Sequence, residues 1–112
     1  GKITIKNGYM ELTAGTATVG ALPAIQASEQ VVVKSGATLG FASGGSITGG
    51  SGTTFVFEKG AKVVDDSNFP AASFYSDAGT TAYTAATLQA AIDAGNVSFT
   101  WNTGSSNWQP TA

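Results

Sequence analysis

The side chains able to do chemistry are few and loosely spaced. Oxygen donors are densest at Asp65, Asp66 and Asn68, with Asp77 further along the chain. A calcium ion takes about six to eight oxygens, and this spacing matches no EF-hand loop. Asp65 and Asp66 are therefore the residues to name if a metal were bound, but a solvated loop is the reading given to them, and neither a metal nor any other cofactor is expected. The run Gly49, Gly50, Ser51, Gly52 opens like a calcium-binding nonapeptide, yet Thr54 stands where the liganding Asp belongs, which leaves a glycine corner. A carboxylate pair for glycoside cleavage would have to come from Glu11, Glu29, Glu58, Asp65 and Asp66, and such a pair is defined by separation in space. The chain has no His and no Cys, so it has no imidazole base, thiol nucleophile, disulfide or ordinary zinc site. No enzymatic activity is expected.

Aromatic side chains are the other candidate contacts. Trp101 shares a strand face with Val97 and Phe99 and belongs in a core. Trp108, with Tyr75 and Tyr83, is the set expected to meet a ligand, because aromatic faces serve sugar rings and protein hot spots alike. Asn96, Val97 and Ser98 form a glycosylation acceptor, a pattern short enough to arise by chance. Thr16 with Thr18, and Thr53 with Thr54, are read as ordinary exposed strand threonines.

The elements that must position these residues show as a repeated phrase. Ile3, Ile5, Lys6, Asn7, Gly8 returns as Val31, Val33, Lys34, Ser35, Gly36 and again as Phe55, Phe57, Glu58, Lys59, Gly60, with starts roughly 28 and 24 residues apart. Alternation at period two followed by polar residues and Gly is a strand running into a tight turn. After the first Gly the pattern departs from the other two, with Glu11 where they carry Leu39 and Val63. That copy is expected to be offset by a bulge or to cap the end with a different neighbour. Gly15 to Val19 reads as a short strand, Ala24 to Glu29 as one helical turn, and Ser46, Ile47, Thr48 as a very short strand between glycine corners. From Asp65 to Ala82 the chain reads as a loop anchored by Phe69, Phe74 and Tyr75. Residues 84–94 form the one helix expected, with Leu88 and Ile92 on one face, Thr84 as its cap and Gly95 as a left-handed stop. Val97, Phe99 and Trp101 make a final strand, and a turn over Asn102 to Asn107 brings Trp108 back towards it.

The phrases VVVKSGATL and FVFEKGAKV resemble the degenerate repeats of right-handed β-helix proteins, as found in bacterial adhesins, autotransporter passengers and surface fibres. The resemblance covers Ile3 to Gly8 and Val31 to Val64, and it implies an elongated extracellular scaffold. The fold class expected is all-β: a short β-solenoid-like arrangement with one C-terminal helix and a final strand, or alternatively a small β-sandwich or jelly roll with strand addition between subunits. One β-rich domain over 1–112 is expected, with strand-turn repeats in 1–64 and a loop, helix and strand packed on them in 65–112.

Composition bounds the function. Only 11% of the 112 residues are charged, against about 25% in ordinary soluble domains, while 42% are apolar. Weak charge does little to keep copies apart. A net charge of -2 with five Lys and no Arg leaves nothing to neutralise phosphates, so nucleic acid is not an expected partner. No apolar run reaches the roughly 20 residues of a membrane-spanning helix. The chain begins at Gly1 without a leader pattern and reads as a processed product or an excised piece. The function expected is that of a secreted, cell-surface structural protein joining copies of itself into a filament or surface layer, with Ile3, Thr4 and Ile5 as the assembly strand. The alternative is an adhesin module binding a glycan or a host or cell-surface receptor.

Overall fold

Period-two alternation and glycine-closed corners dictate strands, and the computed structural model builds them; residues 2–6, 9–21, 30–46, 48–63, 69, 73–77 and 80–111 are described below. The elements run β1 (Lys2–Lys6), β2 (Tyr9–Ala21), β3 (Gln30–Val33), β4 (Ala37–Ser46), β5 (Thr54–Phe57), β6 (Lys62–Val63), α1 (Ala85–Ala94), β7 (Val97–Asn102) and β8 (Asn107–Pro110). The protein is mostly β with a single short helix among the described residues.

Strand β2 takes part in two sets of pairings. Its first part runs parallel to β3, and β3 runs parallel to β5, in the registers Met10↔Val31↔Phe55 and Leu12↔Val33↔Phe57. From Gly15 onward β2 runs parallel to β4 instead, with Ala17↔Leu39, and β4 runs parallel to β6 with Leu39↔Val63. The second and third phrases are thus parallel neighbours in matched register. The first is not. Strand β1 lies antiparallel to β2, with Ile3↔Leu12 and Ile5↔Met10, so residues 10–12, not 3–5, align with Val31–Val33. The expected end cap with a different neighbour is this antiparallel strand.

On the other side, β7 pairs antiparallel with β5 and β8 antiparallel with β7. The sheet is therefore mixed, and in the order β6-β4-β2-β3-β5-β7-β8 no pairing joins its two ends among the described residues. This overturns the β-helix resemblance: antiparallel strands bound the β2–β3–β5 set on both sides, and no closed solenoid forms among the described residues. Extents of 33 × 31 × 28 Å likewise do not describe an elongated scaffold. Two local expectations change as well. Strand β2 is one strand of 13 residues where a short one was expected, and β4 continues to Ser46, so no separate strand begins there. Ile47 and the Ala24–Glu29 segment lie outside the described residues.

The core is one hydrophobic cluster drawn from both parallel sets, the helix and β7–β8. Val33, Phe55 and Phe57 face it from the strands, and Leu88 and Ile92 from the helix, all five with at most 1% of their surface exposed. Each such large side chain contributes roughly 1.5–3 kcal/mol by leaving water. Many rings meet edge to face: Phe55 lies 5.3 Å from both Phe74 and Trp108, and Trp108 lies 5.1 Å from Trp101, while Phe55 and Phe57 stack at 4.8 Å. The segment around Phe74 is stitched to β8 by the Trp108 N–H donating to Ser73 O and the Tyr75 N–H donating to Trp108 O.

Helix α1 starts where the sequence placed it. The Thr87 N–H donates to the Thr84 hydroxyl and the Thr84 N–H to the Thr87 hydroxyl, a reciprocal cap. Its end differs from the expected left-handed stop: Gly95 has φ 163°, extended backbone, while its N–H still donates to Ile92 O.

Candidate interface: corners, strand edges and aromatic side chains

The polar residues that end the second and third phrases build two adjacent corners. Gly36 and Gly60 carry φ values of 88° and 96°, which a residue with a Cβ resists, and this is what the repeated Gly supplies. The corners bind one another. The Gly36 N–H donates to Gly60 O at 3.1 Å and the Glu58 N–H to Val33 O at 2.9 Å. Glu58 reaches back with both oxygens, taking the Ser35 N–H at 3.1 Å and the Lys34 ammonium at 3.0 Å. The hydrogen bond with Lys34, and then the Ser35 N–H, hold the Glu58 carboxyl below its ordinary range, while the same bond with Glu58 raises the Lys34 ammonium. With Lys34 and Glu58 partly open to water, this pair sets register more than it adds stability. At the outer corner a different residue serves: the Lys59 N–H donates to Asn96 Oδ1 at 2.8 Å, as the Ser35 N–H does to Glu58. The Asn of the glycosylation pattern is thus engaged in holding a corner.

The outer edge of β6 meets the helix. Gln89 Nε2 donates to Ala61 O at 3.1 Å, Gln89 Oε1 accepts from the Val63 N–H at 2.8 Å, and Nε2 also donates to Asp93 Oδ1 at 3.0 Å. On the other side of the parallel strands, β1 covers the first part of β2. Among the described residues no strand pairs the second edge of Gly15–Ala21.

Two further polar groupings lie at turns. Asp77 Oδ1 accepts from the Thr80 and Thr81 N–H groups, each at 2.9 Å, and the Thr80 hydroxyl, then these N–H groups, lower its carboxyl to about 2. In the β7–β8 hairpin, Ser105, Asn107 and Gln109 hydrogen-bond one another at 2.9–3.0 Å. Asn107, though buried, is satisfied within this cluster. No buried polar side-chain atom lacks a partner among the described residues.

The three side chains expected to meet a ligand do not form one surface, although the Tyr75 N–H donates to Trp108 O. Trp108 has none of its surface exposed and lies among Phe55, Phe74 and Trp101, so it is a core residue and not a contact. The reason is Gly49, whose missing Cβ leaves the space that the two indoles fill. Tyr75 and Tyr83 are half-buried. Tyr75 pairs with Ala82 while the Tyr83 N–H donates to Phe74 O, so alternation places the two tyrosines on opposite faces of this short pairing. Tyr83 turns inward, 6.1 Å from Phe99. Ile3, Thr4 and Ile5 pair with Leu12, Glu11 and Met10 of their own chain. Asp65 and Asp66 lie outside the described residues, and no group of three potential metal ligands occurs among those described. No described helix is long and apolar enough to cross a membrane.

Gln89 and Asn96 were not singled out by sequence for these contacts. A Gln on a helix and an Asn after it read as solvent-facing, and only the sequence's lack of any further strand phrase hinted that something else must finish the edge. No family model, no curated protein and no solved structure matches the chain, so the β-helix family finds no support from that side either.

Proposed function

We propose that the chain is a structural protein of the cell exterior that joins copies of itself by backbone pairing at strand edges, building a filament or a surface layer. The observation that supports this is the asymmetry of the parallel strands. One side is finished by β7, Asn96 and Gln89, while on the other the outer edge of β1 and the second edge of Gly15–Ala21 have no strand partner among the described residues. Unpaired edges accept further strands unless charge or Pro guards them; β1 carries Lys2 and Lys6 as such guards, whereas Gly15–Ala21 has neither charge nor Pro. Ile3, Thr4 and Ile5 enter this reading as an edge already seated on β2, so joining does not require that β1 leave its own chain. The alternative, an adhesin module, loses Trp108 as its anchor, while Tyr75 and Tyr83 stay half-buried.

Electron microscopy of the purified chain across a concentration series, with light scattering on the same samples, tests the proposal. Filaments or sheets of constant dimension support it. A monomer at every concentration overturns it.

A further inference from the structure

We propose that Gln89 is a plug that stands in for the next strand at β6 and so gates head-to-tail growth between copies of this chain. In a parallel pairing, one strand offers the C=O of one residue and the N–H of the residue two further on to the same neighbour. Ala61 O and Val63 N are those two groups on β6, while Lys62 between them pairs with Thr38 of β4. The carboxamide of Gln89 supplies one donor and one acceptor to them, as a strand residue would. Asp93 holds the same nitrogen from one turn along the helix, which fixes the amide the right way round.

The occupant excluded is a second copy, entering through its β2. Strands β2, β4 and β6 form one parallel set, and its two outer edges are Gly15–Ala21 and β6. Placing β2 of one copy on β6 of the next continues that set in the same direction. Such a contact is heterologous and open-ended, the kind that propagates. With Gln89 seated, β6 is closed to β2 of a second copy, so growth along this parallel set waits on its release. With Gln89 released, β6 is open as well, beside a Gly15–Ala21 edge that no strand pairs among the described residues. The inference rests on the strand-pairing reading above for its partner, and on the two Gln89 hydrogen bonds for its mechanism.

The test uses the full chain with Gln89→Met, which keeps length and helix preference but has neither amide group, and Gln89→Leu as a second variant of different shape. Near-ultraviolet circular dichroism of the Trp101 and Trp108 pair checks that each is folded. Hydrogen exchange at the Val63 amide is expected to quicken about tenfold relative to wild type, with the Val32 and Val56 amides unchanged. Light scattering is expected to show the rise in mass beginning at a protein concentration about tenfold lower than in wild type. Unchanged Val63 exchange, or a mass profile that follows wild type in both folded variants, overturns the plug. The two readings fail differently. A wild-type chain that assembles with no effect of Gln89→Met removes the plug and keeps the proposed function, whereas a monomeric wild type beside associating variants does the reverse.

Discussion

Gly49 sits against Trp108 so closely that a Cβ on it would lie 2.7 Å from the far edge of the indole, and 2.9 Å from Cβ and Cγ of Trp101. The backbone of a loop is thereby wedged under two tryptophans that pack edge to face. The Trp108 ring is enclosed by Phe55 and Phe74, and the backbone of Trp101 is fixed by its amide N–H donating to Thr53 O at 2.9 Å. Gly49→Ala is expected to cost about 1–3 kcal/mol by overpacking. Urea unfolding followed by tryptophan fluorescence reads this directly, and a wild-type midpoint would mean that the indoles move aside at no cost.

Burial of Trp108 changes what its replacement should do. Trp108→Ala removes a ring with no exposed surface and is expected to lose about 3–5 kcal/mol, a large part of the roughly 5–15 kcal/mol that holds a domain together. Trp108→Phe, which keeps an aromatic ring against Phe55 and Phe74, should lose less. Thermal unfolding of the two variants checks the order, and a Trp108→Ala chain as stable as wild type would place the side chain at the surface after all.

What the sequence made legible, and what it hid, follows from the range of the interactions. Val31 with Val33 and Phe55 with Phe57 were readable because alternation and a closing Gly are local signals, and their parallel register follows from the matched phrases. Helix α1 was readable for the same reason, through Leu88, Ile92 and the Thr84 cap. The direction of β1 was not, because Ile3 and Ile5 alternate identically whichever way their neighbour runs. The return of Trp108 to β7 was readable from the turn over Asn102 to Asn107, but β8 was not named as a strand, since four residues ending in Pro are a weak signal and the pairing is fixed by the hairpin. The aromatic site failed because burial of Trp108 depends on Gly49, far away along the chain, and a glycine carries no signal of which ring it makes room for. Gln89 was invisible in the same way: the groups it satisfies belong to β6.

The paired corners carry a prediction about coupling. Gly36 and Gly60 share a positive φ, so alanine at either is expected to cost about 1–3 kcal/mol in backbone strain. Their surroundings differ. A Cβ at Gly36 meets nothing within 4 Å, whereas one at Gly60 runs into the Ser35 hydroxyl. Gly60→Ala should therefore be the more damaging. In a Ser35→Ala background the excess should shrink towards the Gly36→Ala value, because the two sites touch and their effects do not add. Denaturant midpoints of the four variants settle it, and equal losses in both backgrounds would show that the hydroxyl swings away freely.

Asp77 gives a prediction in pH. Its carboxylate is held by the Thr80 hydroxyl and by the N–H groups of Thr81 and Thr80, which favour the charged form and bring it from 3.8 to about 2. A group whose folded value lies below its unfolded one stabilises the fold at pH above the unfolded value, and that contribution fades as pH falls through the folded one. The window for Asp77 is therefore about 3.8 down to about 2. Asp77→Asn keeps an oxygen for the two N–H groups and carries no titrating charge, so it isolates this term. The stability gap between wild type and Asp77→Asn should be constant above the window and should shrink across it as acid is added. The Asp77 carboxyl carbon, followed by NMR, should titrate near the bottom of the same window. A titration at the ordinary Asp value would mean that the turn is held by its backbone alone, and the gap should then show no pH dependence.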